Sequence, residues 1–430
     1  MSAMPQLVVP LSSPAAADAG RFGPKAANLA ALGRAGLPIP GGFCLDAEAY
    51  RLQVAALRLN LSAFVSGAAE LVEARRQALR MRLGLLEGPM VPEILEALQA
   101  VWRALVGEPG VRGVVRSSAL VEDRFGSSFA GQFESYLDLT GEADFVLAVR
   151  SCWAALWSPR ALRYMATHDV NPAETAMAVL IQPLVAARAS GGGLSRTADG
   201  GMLLSATWGL GSPIAQGEVV PDRYMLSADG ELKEAETGRK YHFVGCTHGR
   251  ERGARAISRV LGARRCLDPE QAVELGRMLR SAEDVVGGPA EIEWALDDSG
   301  FKLLQARPLH VQPAPVPDEI WLRHPGLNGH PAGIGWGSGR ARVVTCECEL
   351  SLVSPGDVLI TRVAGPALSQ VLPHVAGVVA ELGGSTSHLA SLARERGIPM
   401  VLGVLDATRR IPDGVQVAVD GVAGVVRWMR

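Results

Sequence analysis

His388 stands between the run Gly383-Gly384-Ser385-Thr386-Ser387 and the run Leu389-Ala390-Ser391-Leu392-Ala393-Arg394-Glu395-Arg396. The two glycines let the backbone approach another group closely. Ser385 or Thr386 is placed to cap a helix, and Leu389, Leu392 and Ala393 recur with helical spacing on one face. Gly397 then ends the helix and Pro399 prevents its return. A histidine in a first helical turn lies near the positive end of the helix dipole, which disfavours the imidazolium and keeps the ring neutral and nucleophilic. The same N-terminus would stabilise a phosphoryl group carried on that ring. A capped surface helix with a chance histidine is the plain alternative; the glycines and hydroxyls beside His388 tip the balance toward chemistry.

Four earlier segments offer phosphate or metal chemistry. Lys25 lies in the first turn of a helix that follows Gly23-Pro24, and a lysine there adds a point charge to free backbone N–H groups. Many surface helices begin this way, but the chain has only four lysines, so one at such a place carries weight. Arg116, in Val114-Val115-Arg116-Ser117-Ser118, could fork onto phosphate oxygens, and the stretch from Gly126 to Gly131 that follows could fold over them as a lid. The segment Trp208-Gly209-Leu210-Gly211, continuing through Gln216-Gly217-Glu218 to Pro221-Asp222-Arg223-Tyr224, permits tight turns near a ligand or forms an ordinary loop. Last, Glu291 and Glu293 share one face of a strand, and Gln305 and Arg307 share a face of the next. Carboxylate oxygens suit Mg²⁺, which keeps waters and takes phosphate oxygens, and an arginine beside them would neutralise charge developing in phosphoryl transfer. A cross-strand salt bridge is the alternative for that pairing.

These groups need elements to hold them. Pro24 to Ala35 reads as a helix with proline in its first turn and Gly36 as its stop. Amphipathic helices are expected near 67–83 and 91–105, strands at 111–115, 136–139 and 177–185, and a helix over 270–286. A hairpin follows at 290–296 and 301–306, turning at Asp297-Asp298-Ser299-Gly300. Alternating prolines from Pro313 to Pro317 predict an extended, semi-rigid linker over 313–328. Beyond it, strands at 343–344, 358–360, 375–380, 399–403 and 415–419 around the His388 helix suggest a small β/α layered domain over 329–430. The fold class expected is α/β, of mixed α+β character.

At 430 residues two or three domains are expected. Apolar residues make up 48%, charged residues 20%, and the net charge of −2 points to neither nucleic acid nor an anionic membrane. Cys346 and Cys348 form the single Cys-x-Cys, without a second pair to complete a zinc site, and alternating strand residues explain them best. No basic leader with an apolar core is visible, and no apolar run approaches the ~18 residues that span a bilayer. A cytoplasmic protein is the simplest expectation.

The motif ending at His388, together with Ala393-Arg394-Glu395 and Gly397-Ile398-Pro399, resembles the phosphohistidine swivelling domain of PEP-utilising enzymes. That family includes PEP synthase, pyruvate phosphate dikinase and rifampicin phosphotransferase. The resemblance implies that His388 is the phosphorylated residue. Residues from about Phe22 to Leu309 resemble the family's ATP-grasp-type nucleotide-binding domain, expected here over 1–312. By position, Lys25, Arg116 and Arg307 look like its triphosphate contacts, Glu293 and Gln305 like its metal ligands, and Gln182 to Leu184 like the hinge that meets adenine. ATP and Mg²⁺ are thus the implied substrate and metal. The chain departs from the family's Ser-Gly-Val-Met/Ala-Phe-Thr-like phosphate stretch, reading Ser190-Gly191-Gly192-Gly193-Leu194-Ser195 in its place.

What the resemblance implies is an ATP-dependent phosphotransferase of dikinase type that ends ATP as AMP and passes the β-phosphoryl group from His388 to an acceptor. Relatives carry a third, acceptor-binding domain that is not expected within these 430 residues, so the acceptor is expected on a separate subunit or as a small molecule. Two alternatives stand beside this: an ATP-driven ligase or dehydratase that activates its substrate by phosphorylation, and a non-catalytic nucleotide-binding module.

Overall fold

The computed structural model describes residues 6–59, 71–107, 110–122, 133, 135–240, 262–309, 321 and 323–429. The glycine-rich stretch from Gly126 to Gly131 and most of the proline-rich 313–328 segment lie outside these. The chain divides into two compact units: Met1–Val185 with Leu303–Arg307, and Ala186–Lys302 with Pro308–Arg430.

The first unit is built on a five-stranded sheet in the order Val8–Pro10, Phe43–Leu45, Met177–Pro183, Gly113–Ala119, Ser135–Leu139. All its pairings are antiparallel. The central Met177–Pro183 strand is buried from Met177 through Gln182, as a strand covered on both faces requires. Its main helices are Ala19–Arg34, Ala47–Leu57, Leu71–Glu87, Pro92–Leu105, Glu142–Ala155 and Pro159–Ala166. Phe22, Leu29, Leu32, Phe145, Trp153 and Trp157 fill the core between helices and sheet. The Ala19–Arg34 helix is interrupted at Gly23, whose φ of +75° no side chain adopts easily. A Cβ there would lie 2.4 Å from the Ser118 carbonyl oxygen. Glycine therefore lets this helix restart at Pro24 directly against the strand that carries Arg116.

The second unit holds two sheets. One has six strands in the order Gly300–Pro308, Ala290–Asp297, Ala189–Leu194, Met202–Trp208, Asp222–Leu226, Leu232–Glu236. The Leu303–Arg307 part of its first strand groups with the first unit. The helix Pro269–Val286 is capped by a reciprocal Asp268–Gln271 box and ends on Gly287 in the left-handed conformation. It buries Leu275, Leu279 and Ala282.

The other sheet has eight strands, in the order Gly326–Asn328, Val425–Trp428, Gln416–Asp420, Trp336–Val344, Val358–Thr361, Gly377–Ala380, Met400–Leu402, His330–Pro331. The run from Trp336–Val344 to Met400–Leu402 is parallel, the remaining pairs antiparallel. Val358, Ile360, Val379, Val401, Val417, Val419 and Val426 make its apolar centre. The helix His388–Arg396 packs here, burying Leu389, Leu392 and Ala393, the face its spacing predicts. The mixed α/β class is as expected. One local expectation is corrected: Cys346 and Cys348 are not alternating strand residues. The strand ends at Val344, and Cys346 caps the 3₁₀ turn Glu347–Leu352 by accepting from the Cys348 N–H at 3.4 Å.

Candidate functional site

In the first unit three segments converge. Lys25, in the first turn after Gly23, donates from Nζ to Glu122 Oε1 at 3.0 Å and to the Ser117 carbonyl at 3.2 Å. Its side chain is 20% exposed and that of Glu122 only 1%. Arg116 donates from Nη1 to the Leu304 carbonyl at 2.7 Å and from Nη2 to Gln305 Oε1 at 3.1 Å. One helical turn beyond Lys25, Asn28 Nδ2 donates to the Ala306 carbonyl at 3.1 Å. Gln305 and Arg307 are both buried. The structure thus brings Lys25, Arg116, Gln305 and Arg307 together on adjoining elements, with two cations close to a buried carboxylate and a buried amide. Glu122 and Asn28 were not singled out as site residues. A helix-start lysine twinned with a later acid leaves no short-range spacing to find it by.

Gln182 and Leu184 sit at the end of the central strand. Gln182 Nε2 donates to the carbonyls of Pro40 and Gly41 at 3.3 and 3.4 Å, and the Leu184 N–H donates to the Arg112 carbonyl at 2.7 Å. These polar groups are engaged in holding the strand end.

In the second unit the His388 loop is seated on the six-stranded sheet. Ser387, not Ser385 or Thr386, caps the helix: its Oγ accepts from the Ala390 N–H at 3.2 Å, and His388 is the first helical residue. The helix closes on Gly397 at φ +67°, as expected. Ser385 donates instead to the Pro331 carbonyl at 2.5 Å. Thr386 packs on Gly192, where an added Cβ would lie 2.7 Å from the Thr386 Cβ. Gly384 lies against Pro221, and the Gly383 N–H donates to the Val219 carbonyl at 3.1 Å. Gly192, in the stretch that departs from the family's phosphate pattern, and the Val219–Pro221 segment thus receive the histidine loop.

Glu291 and Glu293 lie on the strand beside Gly191–Gly193. Glu293 is the ladder partner of Gly192, the residue under Thr386, and Glu291 is the partner of Leu194. Glu291 is buried and accepts from Arg394 Nη2 at 3.1 Å and from Ser391 Oγ at 3.0 and 3.1 Å. The sequence shows Arg394 only as part of the Ala393-Arg394-Glu395 motif, without its partner Glu291. Nearby, Arg239 Nη2 donates to the carbonyls of Glu381 and Gly403 at 3.0 and 3.2 Å, and the buried Asp222–Lys240 pair closes the adjoining strand. Within the second unit Glu293 offers a half-buried carboxylate, and within the first Gln305 offers an amide oxygen held toward Arg116. Each is a hard oxygen donor of the kind that Mg²⁺ takes alongside phosphate oxygens.

Comparison with known proteins bears on the family. The AMP/ATP-binding domain of pyruvate phosphate dikinase matches as a family model over residues 19–320. The mobile domain of PEP-utilising enzymes matches over residues 353–424. The phosphoenolpyruvate synthase of Pyrococcus furiosus is 30% identical over 469 aligned positions, which cover 95% of this chain and 57% of that protein. That of Aeropyrum pernix is 33% identical over 465 positions, covering 94% and 56%. The prodigiosin synthesizing transferase PigC of Serratia marcescens is 35% identical over 321 positions, covering 73% of this chain and 34% of that protein. The chain spans little more than half the length of the synthases it matches. Among the described residues no helix is long and apolar enough to cross a membrane.

Proposed function

Since the chain belongs to the PEP-utilising family of pyruvate phosphate dikinase and PEP synthase, we propose that it is an ATP-dependent phosphotransferase that works through a phosphohistidine on His388. The nucleotide domain is taken as residues 1–312; the linker, expected over 313–328, is cut back to 313–325 because Gly326–Asn328 already pairs with Val425–Trp428 in the eight-stranded sheet, and the swivelling domain is taken as 326–430. Lys25, Arg116 and Arg307 hold the phosphates, and the Gln182–Leu184 strand end lies toward the adenine. Glu293 and Gln305 hold Mg²⁺, which would spread the charge of the phosphate oxygens. Neutral His388, the first residue of its helix, offers a ring nitrogen to the β-phosphorus. The new N–P bond forms as the P–O bond to the AMP oxygen breaks, and the leaving charge falls to the cationic residues. His388 then carries the β and γ groups together; transfer of the γ group to water or to phosphate cleaves the β–γ bridge, and the helix N-terminus stabilises the β-phosphoryl group left on the ring. The group passes on to a small-molecule acceptor or one bound by a separate subunit.

The observation that carries this reading is the seating of the His388 loop on the strand pair that bears Glu293, through Gly192 and Thr386. The test is incubation with Mg²⁺ and ATP labelled separately at the β and γ positions. Acid-labile, base-stable label on the wild type and none on His388→Ala is expected, with AMP as the nucleotide product. A folded, ATP-binding protein that takes label from neither position overturns the proposal.

A second reading is favoured by the prodigiosin synthesizing relative: ATP-driven condensation, in which the transferred phosphoryl group activates a substrate and leaves as phosphate. The two are separated by the product, since a phosphorylated acceptor accumulates only in the first.

A further inference from the structure

We infer that Glu291, Ser391 and Arg394 form a reversible clasp that registers the His388 helix over the Glu293 strand, which makes Glu291 a positioning residue for loading His388; this rests on the phosphocarrier reading. Arg394 works on two sides. Its Nη1 donates to the Ser385 carbonyl at 2.5 Å and to the Ala332 carbonyl at 3.2 Å, which shapes the loop before His388. Its Nη2 reaches across to Glu291 at 3.1 Å and to Ser391 Oγ at the same distance. Ser391 completes the triangle by donating to Glu291. The ion-pair side chains are only 7% and 8% exposed.

The register follows from strand alternation. Glu291 and Glu293 face the same way, and the ladder partner of Glu293 is the glycine against which Thr386 rests. With Arg394 on Glu291, the start of the helix is set beside Glu293. The chemistry of the contact also suits a part that must leave. A buried ion pair gains little net free energy over its solvated partners, while a mismatched half-pair is costly. The clasp therefore selects one docked register without holding it tightly. An apolar contact of similar size would expose a sticky patch each time the helix departed.

The test uses the full chain. Glu291→Gln keeps an oxygen for Ser391 and Arg394 but removes the charge, and its melting transition checks that the variant stays folded. Single-turnover loading of His388 from labelled ATP is expected to slow at least tenfold with ATP affinity unchanged. Hydrogen exchange is expected to rise together over residues 388–396 and 290–296. Combining Glu291→Gln with Arg394→Gln is expected to slow loading no further than Arg394→Gln alone, because both remove one coupling. Wild-type loading and exchange in Glu291→Gln, or strictly multiplicative effects in the double variant, overturn the clasp. A wild type that takes no label from ATP overturns the phosphocarrier reading instead, and the exchange arm then decides the clasp alone.

Discussion

Lys25 shows how a side chain read from sequence as a phosphate ligand is held before any ligand arrives. It lies on the Ser117 carbonyl, inside the strand that carries Arg116, and on Glu122, three residues beyond the end of that strand. Lys25→Met would remove the proposed phosphate contact and strand a carboxylate that is 1% exposed. It is expected to destabilise by about 2–3 kcal/mol, at the low end for a broken buried pair because Lys25 is partly solvated. It is also expected to weaken ATP binding at least tenfold. Glu122→Gln, which keeps the shape, should cost less stability than Lys25→Met; denaturant midpoints and nucleotide titration compare the two. Gly192 gives a second residue-scale prediction. A side chain there meets Thr386 at 2.7 Å, so Gly192→Val should slow His388 loading severely, and Thr386→Gly should partly restore it in the double variant. Thr386→Val, by contrast, removes a buried hydroxyl oxygen that has no hydrogen-bond partner among the described residues. That variant should be neutral or slightly stabilising in thermal melts.

At the scale of elements, the strongest constraint is the close approach of the Lys25 helix to the Gly113–Ala119 strand. Gly23→Ala would force a side chain into both a positive φ and the Ser118 backbone. A loss of more than about 2 kcal/mol is expected, beyond the ~1 kcal/mol of a relaxed left-handed site. Gly287→Ala is the control: it too has a positive φ but an added Cβ would have nothing within 4 Å, and it should lose only the smaller amount. Most elements were legible from periodicity and punctuation. The hairpin at 290–308, the helix ending at Gly287 and the helix ending at Gly397 all follow local signals. The misplaced details have local causes as well. Three consecutive hydroxyl residues before His388 could each cap, and the backbone path that turns Ser385 toward Pro331 and Thr386 toward Gly192 selected Ser387. Cys346 became a cap because the strand stopped two residues earlier.

At the scale of the whole molecule, pH stability has an identifiable contributor. Burial drives the pKa of His330 down to about 4, with Arg223 and Arg239 adding to the effect and Glu236 opposing it. The unfolded value is near 6.5, so between these limits the unfolded chain binds a proton that the folded one refuses. The stability held by neutral His330 is therefore complete above about pH 6.5 and falls as pH drops toward 4, by on the order of 3 kcal/mol. His330→Gln should flatten that acid limb in melting temperatures measured from pH 7.5 to 4. By itself the sequence determined the family and the fold class and nominated the chemically apt residues, because glycines, caps and hydrophobic spacing act over a few neighbouring positions. Only the tertiary structure decided that Glu291 belongs to Arg394 and Ser391, that Glu122 belongs to Lys25, and that Gly192 makes room for Thr386. The first two pairings span about 100 residues of chain and the third nearly twice that, and a contact between distant segments is set by how the sheets and helices pack, which no local spacing records.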